Sequence, residues 1–308
     1  MHTDMIIEID DEVYILDRNL IPDGTPANSK PVFHARPLTN RCAPELSVKR
    51  VHTYEPCLTI TKNAIKTRDA LGEMGDALYP RFYGRDLLEE NSILCTEYVK
   101  GQTLDTKYFK TNAEIIRICE LIAIKTAQAT DLGVQHLDIK DENIVLKTNP
   151  TTNEEVPIFI DLEFMKKTSE PPMCSSTKAP YRYGGIYISP EMHMSQGASL
   201  TSDIYSCAEM IATYLRTIWK NWRSLPTAHS NRYQTKLKLE AKANGTYFTK
   251  EHDKIAREDR DNIPEGLREK IWGLLEFVIR GLRHNSSARP NSEIYIRQLL
   301  QEKPPVSF

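Results

Sequence analysis

A cluster of polar side chains lies in the stretch His136–Asn143, which reads HLDIKDEN. Asp138 is a carboxylate that can orient a hydroxyl group and accept its proton. Lys140 can neutralise the charge of a phosphate, and the side-chain oxygen of Asn143 can bind magnesium, which prefers oxygen ligands and bridges to substrate phosphates. The residue types in this stretch are therefore those that phosphoryl transfer requires.

A further acidic residue follows an apolar run later in the chain. The run Pro157–Ile160 (PIFI) has the composition of a short strand, and Asp161 comes directly after it. Asp161 would supply a second oxygen ligand for the metal from the end of this strand. We therefore expect Asp138 and Asp161 to converge on the phosphate tail of one nucleotide.

The elements that must position these residues change in character near residue 100. Before it, five short segments rich in β-branched and aromatic residues predict strands, and the segment 62–78 has apolar residues near helical spacing. The predicted strands read MIIEI, EVYIL, PVFHA, LSVKRVH and SILCTEYV. After residue 100, apolar periodicity predicts helices at residues 113–133, 201–219, 266–284 and 292–301. The runs NIVLK and PIFIDLEF, on either side of the turn TNPTTNEE, predict a hairpin.

Composition and charge exclude several classes of protein. Of the 308 residues, 40% are hydrophobic and 27% are charged, which is typical of a globular protein with a substantial core. The 40 basic and 42 acidic residues nearly cancel, so we expect no nucleic-acid partner. The six cysteines form no Cys-x-x-Cys pair, which favours reduced thiols in the cytoplasm. We expect no secretory signal, because the first residues are acidic, and no membrane span, because long apolar runs are lacking.

The motifs, taken in order, resemble those of eukaryotic-type protein kinases. His136–Asn143 resembles their catalytic loop, H-R-D-x-K-x-x-N, and Asp161–Glu163 resembles their D-F-G motif. Lys49 in ELSVKRV is similar to the lysine of V-A-I-K. The segment Cys95–Gly101 resembles the hinge that joins the two kinase lobes, and Ser189–Glu191 resembles A-P-E. The order holds over most of the chain.

The resemblance implies an α+β, bilobal protein-kinase-like fold with a small β-rich N-lobe that contains one main helix, and a larger, mainly helical C-lobe. These lobes would span residues 1–98 and 99–308 and form one catalytic domain. The implied activity is ATP- and Mg²⁺-dependent phosphorylation of Ser or Thr hydroxyls in a protein substrate, with Mn²⁺ as an alternative metal. The implied site comprises catalytic residues Asp138 and Lys140, nucleotide-binding residues Lys49, Glu73, Thr96, Glu97 and Val99, and metal ligands Asn143, Asp161 and Glu163.

Some of these residues have a more specific implied position. Thr96 would be the gatekeeper at the start of the hinge, and Glu73 would be the glutamate that pairs with Lys49. Asp203 would cap the backbone of the catalytic loop from inside the C-lobe. A further set has an implied structural role only, namely an ion pair between Glu191 and Arg289 and a buried core histidine, His136.

Three departures from the family pattern set further expectations. The loop Gly24–Lys30 has one glycine and a proline where the family has a glycine-rich loop, which predicts weaker backbone contacts to phosphates. Leu137 replaces the arginine of H-R-D, so activity is not expected to depend on phosphorylation of the activation segment. Gly184 and Gly185 stand where Ser/Thr kinases carry a threonine, which weakens the Ser/Thr assignment.

Two alternative functions stay open. Asp161–Glu163 is also similar to a segment of choline and aminoglycoside kinases whose two carboxylates can hold metal, which favours a kinase of a small molecule or a lipid headgroup. The degenerate loop Gly24–Lys30 favours a nucleotide-binding pseudokinase that acts as a binding module. So divergent a kinase is expected to be a product of a pathogen or virus that acts in the host cytoplasm, with a host protein as a candidate activator.

Overall fold

The computed structural model describes residues 5–19, 32–51, 55–170, 187–193, 197–219, 263 and 265–302. Two compact units make up the chain: the first is Met1–Gly101 with Ile158–Met165, and the second is Gln102–Pro157 with Lys166–Phe308. The sequence-based division into residues 1–98 and 99–308 assigned Ile158–Met165 to the second lobe, whereas the structure assigns this segment to the first unit. Asp161 and Glu163 thus belong to the same unit as Lys49.

The first unit is built on a six-stranded antiparallel sheet with the strand order β1-β2-β3-β4-β6-β5. Its strands are β1 (Met5–Ile9), β2 (Glu12–Asn19), β3 (Val32–Pro37), β4 (Leu46–Arg50), β5 (Phe82–Tyr83) and β6 (Ile93–Glu97). All five predicted strands are present, and β5 is an additional one. Successive side chains of a strand point to opposite faces, so Leu46 and Val48 of β4 are buried in the core while Lys49 lies on the other face.

Three helices accompany this sheet: α1 (Glu55–Ala70), α2 (Gly72–Asp76) and α3 (Arg85–Asn91). The single helix predicted at residues 62–78 is therefore two helices, and the first begins earlier. The break falls at Gly72, whose φ of +51° lies in the left-handed region that favours glycine. This break separates Glu73 from the long helix α1.

The buried guanidinium of Arg68 stabilises the connection from α1 to the sheet. It donates hydrogen bonds to the carbonyl groups of Pro80 (3.0 Å), Tyr79 (3.1 Å) and Gly72 (3.2 Å). Buried carbonyl groups must be hydrogen-bonded, and here one side chain serves three of them. The adjacent carbonyl of Leu78 accepts a hydrogen bond from the Phe159 N–H at the end of β10.

The second unit is mainly helical, with α4 (Asn112–Asp131), α5 (Pro190–His193), α6 (Ser202–Ile218), α7 (Glu265–Gly281) and α8 (Glu293–Leu300). Helix α4 begins after Thr111, whose hydroxyl accepts a hydrogen bond from the Glu114 N–H, and it ends before Gly133, whose φ is +71°. Helices α4, α6 and α7 pack against one another along apolar faces. The four helices predicted after residue 100 are all present.

Short strands position the loop between α4 and the hairpin. They are β7 (Gln102–Thr103), β8 (Val134–Gln135), β9 (Ile144–Thr148), β10 (Glu155–Phe159) and β11 (Lys166–Lys167). The sheet order is β10-β9-β7, so the predicted β9–β10 hairpin is confirmed, and β11 pairs with β8. Because β8 and β9 flank residues 136–143, both ends of this loop are fixed by strand pairing.

Several sequence-based expectations lie outside the described residues, namely those on the loop Gly24–Lys30 and on Gly184 and Gly185. Within the described part of the chain, none of the helices combines the length and apolar character that crossing a membrane requires.

Candidate active site

The backbone of the 136–143 loop is held by a buried carboxylate in the first turn of α6. Asp203 accepts hydrogen bonds from the N–H groups of His136 (2.6 Å) and Leu137 (2.9 Å). Leu137 has a φ of +67°, a left-handed conformation that costs a branched residue on the order of 1–3 kcal/mol. Burial raises the pKa of Asp203, while the nearby His136 and the two N–H donors act against this shift. Asp203 therefore caps the loop as predicted and stabilises its strained residue.

Asp138 follows the strained residue directly and is almost fully buried. The Asn143 side-chain amide donates to Asp138 Oδ2 at 2.7 Å and to the Asp138 carbonyl at 2.9 Å. The Lys140 ammonium forms an ion pair with the same Oδ2 at 3.0 Å. Both side-chain contacts fall on Oδ2, so they fix the orientation of the carboxylate. The three residues that the sequence predicted to act together do meet in the structure.

The amide orientation of Asn143 bears on its predicted role as a metal ligand. Its Nδ2 is directed at Asp138, so its acceptor oxygen, Oδ1, is the atom on the other arm of the amide. Amide and carboxylate oxygens are the hard ligands that Mg²⁺ prefers. The amide oxygen of Asn143 and the carboxylate of Asp161 are each of the oxygen type that Mg²⁺ prefers, so each keeps its predicted role as a metal ligand as a prediction.

The second cluster lies in the first unit and centres on Lys49 of strand β4. Its ammonium contacts Asp161 Oδ1 at 2.8 Å and Glu163 Oε1 at 2.9 Å. Burial acts to lower the pKa of Lys49, but the charges of Asp161 and Glu163 outweigh it and raise the pKa above its ordinary value. The protonated form of Lys49 is therefore stabilised by two carboxylate partners. The predicted convergence of Asp138 with Asp161 stays a prediction.

The backbone brings Asp161 and Glu163 to the same lysine. The Phe159 N–H donates to the Leu78 carbonyl at 3.0 Å, which ties the end of β10 to the first unit. Asp161 has a φ of +61°, and a 3-10 turn, Leu162–Phe164, follows it. Leu162 is fully buried, and the turn packs against α1. This sharp turn directs the carboxylates of residues 161 and 163 at one ammonium group.

The prediction that Glu73 pairs with Lys49 is wrong. Glu73 is exposed on the short helix α2, whereas the ion pairs of Lys49 among the described residues are those with Asp161 and Glu163. The helix break at Gly72 is the physical reason, because it removes Glu73 from α1. The sequence did contain a signal for the correct partner: between Glu55 and Asp69, α1 has no carboxylate that could reach a lysine.

The segment predicted to contact adenine follows strand β6. Thr96 lies within the sheet, paired with Ser47 of β4 and Phe82 of β5. The Glu97 N–H donates to the Arg81 carbonyl at 2.8 Å, so this donor is occupied. The N–H of the buried Val99 has no backbone acceptor among the residues that the structure describes. Val99 is therefore the better candidate for a backbone donor to a bound base.

Glu191 and Arg289 form the ion pair that the sequence implied, with contacts of 2.7 and 2.9 Å. The hydroxyls of Ser199 and Ser202 each donate to Glu191 Oε1 at 2.7 Å. The guanidinium of Arg289, which is inaccessible to solvent, also lies over the ring of Tyr205 at 4.9 Å. This buried network anchors the segment that begins α5 to the rest of the second unit.

The ion pair predicts an acid-dependent loss of stability. Burial alone would raise the pKa of Glu191, but Arg289 and the two hydroxyls lower it from 4.5 to about 2. A carboxyl with a lowered folded-state pKa contributes stability above pH 4.5 and loses it as the pH falls towards 2. The lowered pKa of Glu191 contributes about 3 kcal/mol to the free energy of unfolding. Urea unfolding at a series of pH values should show this extra decline in the wild type and not in Glu191→Gln; parallel curves would contradict it.

Comparisons with known proteins agree with the architecture of the two units. No profile of a known protein family matches the sequence, and no curated protein sequence matches it. The solved structure of vaccinia related kinase 3 aligns over 98% of this chain and 90% of its own, with a TM-score of 0.58 and 12% sequence identity. At this identity the likeness shows the fold alone. The chain has a divergent protein-kinase-like fold, and the predicted α+β fold class is confirmed.

Proposed function

We propose that this protein is an ATP- and magnesium-dependent protein kinase that transfers the γ-phosphoryl group to Ser or Thr hydroxyls of a protein substrate. The observation that carries the proposal is the arrangement around Asp138, on a protein-kinase-like fold. A nearly buried carboxylate has its orientation fixed by Asn143 and Lys140 and its backbone fixed by Asp203. A purely structural loop has no need for an oriented carboxylate beside a lysine.

In this proposal Asp138 orients the acceptor hydroxyl through Oδ1 and accepts its proton as the hydroxyl oxygen bonds to the γ-phosphorus. The bond from that phosphorus to the β,γ-bridging oxygen breaks, and ADP leaves with the electron pair. Asn143 and Lys140 contact only the other oxygen, so they hold the carboxylate without competing for the hydroxyl. Lys140 also neutralises charge on the transferring phosphoryl oxygens. Little covalent chemistry is required of the protein, because this reaction is catalysed mainly by positioning and electrostatic stabilisation.

The first unit is proposed to bind the nucleotide. Lys49 binds phosphate oxygens in its protonated form, and the segment Thr96–Val99 contacts the adenine, with the Val99 N–H as donor. Asp161 and Asn143 supply oxygen ligands to Mg²⁺, or to Mn²⁺ in its place. An ion held by these two residues would supply positive charge that offsets the charge of the phosphates. These roles need only residue types and contacts that the two clusters already have.

Two features favour a protein acceptor over a small molecule. Lys140 comes two positions after Asp138 and contacts it, as the resemblance to Ser/Thr protein kinases implies. The segment Ser189–Glu191, which would shape a platform for a peptide, is anchored through the buried pair of Glu191 and Arg289. The small-molecule alternative relies on Glu163 as a metal ligand, whereas the contact that Glu163 makes with Lys49 supports a role in positioning the lysine.

Mass spectrometry of the wild type and of Asp161→Asn after incubation with ATP and Mg²⁺ tests the proposal. We expect phosphoserine or phosphothreonine in the wild type and none in the variant, because Asp161 is a proposed metal ligand. A parallel panel of proteins, amino alcohols and inositides identifies the acceptor class. Phosphorylation of small molecules alone would contradict a protein acceptor.

A thermal shift separates a kinase from a pseudokinase. Nucleotide at a hundredfold its dissociation constant stabilises a protein by about 2.7 kcal/mol. Such stabilisation of the wild type without transfer to any acceptor would contradict the proposed activity and identify a nucleotide-binding module.

A further inference from the structure

We propose that Glu163 is a positioning residue that holds Lys49 in place for the phosphates of a nucleotide, and that it is not a metal ligand. The lysine would then be positioned from the turn at residues 161–163 and not from helix α1. This inference rests on the proposed function and deepens it, because it assigns a task to the acidic residue that distinguishes this turn.

Helix α1 packs against this turn, and its middle turns contain no carboxylate. Between Glu55 in its first turn and Asp69 near its end, it contains no Asp or Glu. Asp69 forms an ion pair with Arg85. The second anionic partner of Lys49, besides Asp161, is Glu163, whose Oε1 lies 2.9 Å from the ammonium.

The two carboxylates of the turn differ in their accessibility. The side chain of Asp161 is 30% exposed, whereas that of Glu163 is 19% exposed and its Oε1 atom is inaccessible to solvent. Oε1 is the oxygen that faces Lys49. A protein-bound magnesium ion usually keeps several waters, so it requires an oxygen that is open to solvent. Asp161 is the more accessible of the two carboxylates, and the Glu163 oxygen that faces Lys49 is closed to solvent.

Because Lys49 has two carboxylate partners, it keeps one of them whether or not a metal ion is bound at Asp161. When Asp161 turns its charge to a metal ion, its contact with the ammonium weakens, and Glu163 remains as the anionic partner. All three residues belong to the same compact unit, in which the Phe159–Leu78 hydrogen bond ties the end of β10 to the connection between α2 and β5. The placement of Lys49 thus depends on the conformation of the 161–163 turn.

Binding of a fluorescent ATP analogue across a range of Mg²⁺ concentrations separates positioning from metal ligation. Loss of a group that orients a functional side chain typically costs about 10- to 100-fold. We expect Glu163→Gln to weaken nucleotide binding, and to raise the KM for ATP, by about tenfold without changing the Mg²⁺ concentration for half-maximal binding. Asp161→Asn should shift that Mg²⁺ concentration. Glu163→Asp should recover part of the loss, because it restores the charge.

Glu89→Gln is the matched control. It removes one carboxylate from an exposed lysine pair of the same unit, Lys62–Glu89 at 3.3 Å, and should change none of these quantities. A shift of the Mg²⁺ midpoint in Glu163→Gln that equals the shift in Asp161→Asn would overturn the proposal and make Glu163 a metal ligand. Unchanged nucleotide binding in Glu163→Gln would overturn it as well.

A second measurement needs neither nucleotide nor metal. Acetic anhydride modifies unprotonated lysines, and mass spectrometry reports the rate at each site. Glu163→Gln should raise the acetylation rate of Lys49 several-fold in the nucleotide-free protein, because the amine loses one of the two carboxylate contacts that hold it and becomes more accessible to the reagent. An unchanged rate would contradict the positioning contact. A raised rate in a protein that transfers no phosphate would keep the contact and refute only the proposed kinase activity.

Discussion

Asp138→Asn is expected to reduce the rate of phosphoryl transfer by about 10³- to 10⁴-fold while the protein remains folded. A positioned general base contributes about 10²- to 10⁴-fold, and Asp138 also orients the acceptor, so the loss should lie towards the upper end. Asparagine keeps the shape of the side chain, so Asp203 can still hold the loop backbone. The initial rate of transfer from labelled ATP to a protein acceptor measures the effect.

The reason for so large an effect is the environment of Asp138. Its carboxylate is nearly buried, and Asn143 and Lys140 fix it through a single oxygen. An amide in its place cannot accept the proton of the hydroxyl, and it presents an NH₂ group where a carboxylate oxygen stood. Nucleotide binding, measured by thermal shift, should survive, because Lys49, the segment Thr96–Val99 and Asp161 all belong to the first unit and are unchanged in this variant.

Asp105→Asn provides the control for this prediction. Asp105 is an exposed carboxylate of the same unit, and its replacement should leave the transfer rate within about twofold of the wild type, as expected for surface substitutions that cost little stability. Transfer by Asp138→Asn at the wild-type rate would refute the assignment of Asp138. An equal loss of transfer rate in Asp138→Asn and Asp105→Asn would indicate that removal of a negative charge slows transfer wherever it occurs.

Arg289→Met is expected to lower the free energy of unfolding by about 3–5 kcal/mol, the usual cost of removing one partner of a buried ion pair. The Arg289 side chain is inaccessible to solvent, and it donates to both carboxylate oxygens of Glu191. The variant leaves the Glu191 carboxylate without its cation in a largely buried position. The hydroxyls of Ser199 and Ser202 remain as its donors, which moderates the loss without removing it. Urea unfolding measures the difference.

A double variant separates charge burial from packing. Glu191→Gln combined with Arg289→Met removes the uncompensated carboxylate and should be more stable than Arg289→Met alone. Arg297→Met is the control, because Arg297 pairs with Glu293 on the surface of α8 and such pairs contribute about 0–1 kcal/mol. A loss no larger in Arg289→Met than in Arg297→Met would show that the Glu191–Arg289 pair adds little to stability.

The strands and helices followed from local patterns. A short run rich in β-branched residues predicted β4 correctly, and helical periodicity predicted α4, which ends just before Gly133. The cluster of Asp138, Lys140 and Asn143 was also visible in the sequence. Its hydrogen bonds and ion pair join residues at most five positions apart, so the local spacing already constrains them.

The partners of Lys49 were not predictable in the same way. Lys49 and Asp161 are separated by 112 positions, and their contact depends on the return of the chain to the first unit and on a sharp turn after β10. The break at Gly72 removed the expected partner, Glu73, from the helix that faces this turn. Glu73 therefore lies on a separate short helix, and the carboxylates that contact Lys49 are those of Asp161 and Glu163.

Residue types and their spacing along the chain were sufficient to establish the kind of fold and the chemistry of the 136–143 loop. The periodicity of apolar residues dictates which face of an element is buried, and near neighbours in a loop remain neighbours in space. The contact between Glu163 and Lys49 depends on the tertiary structure. Residues that are far apart in the sequence come into contact only if the backbone between them places them side by side. The sharp turn that begins at Asp161 does this for Glu163.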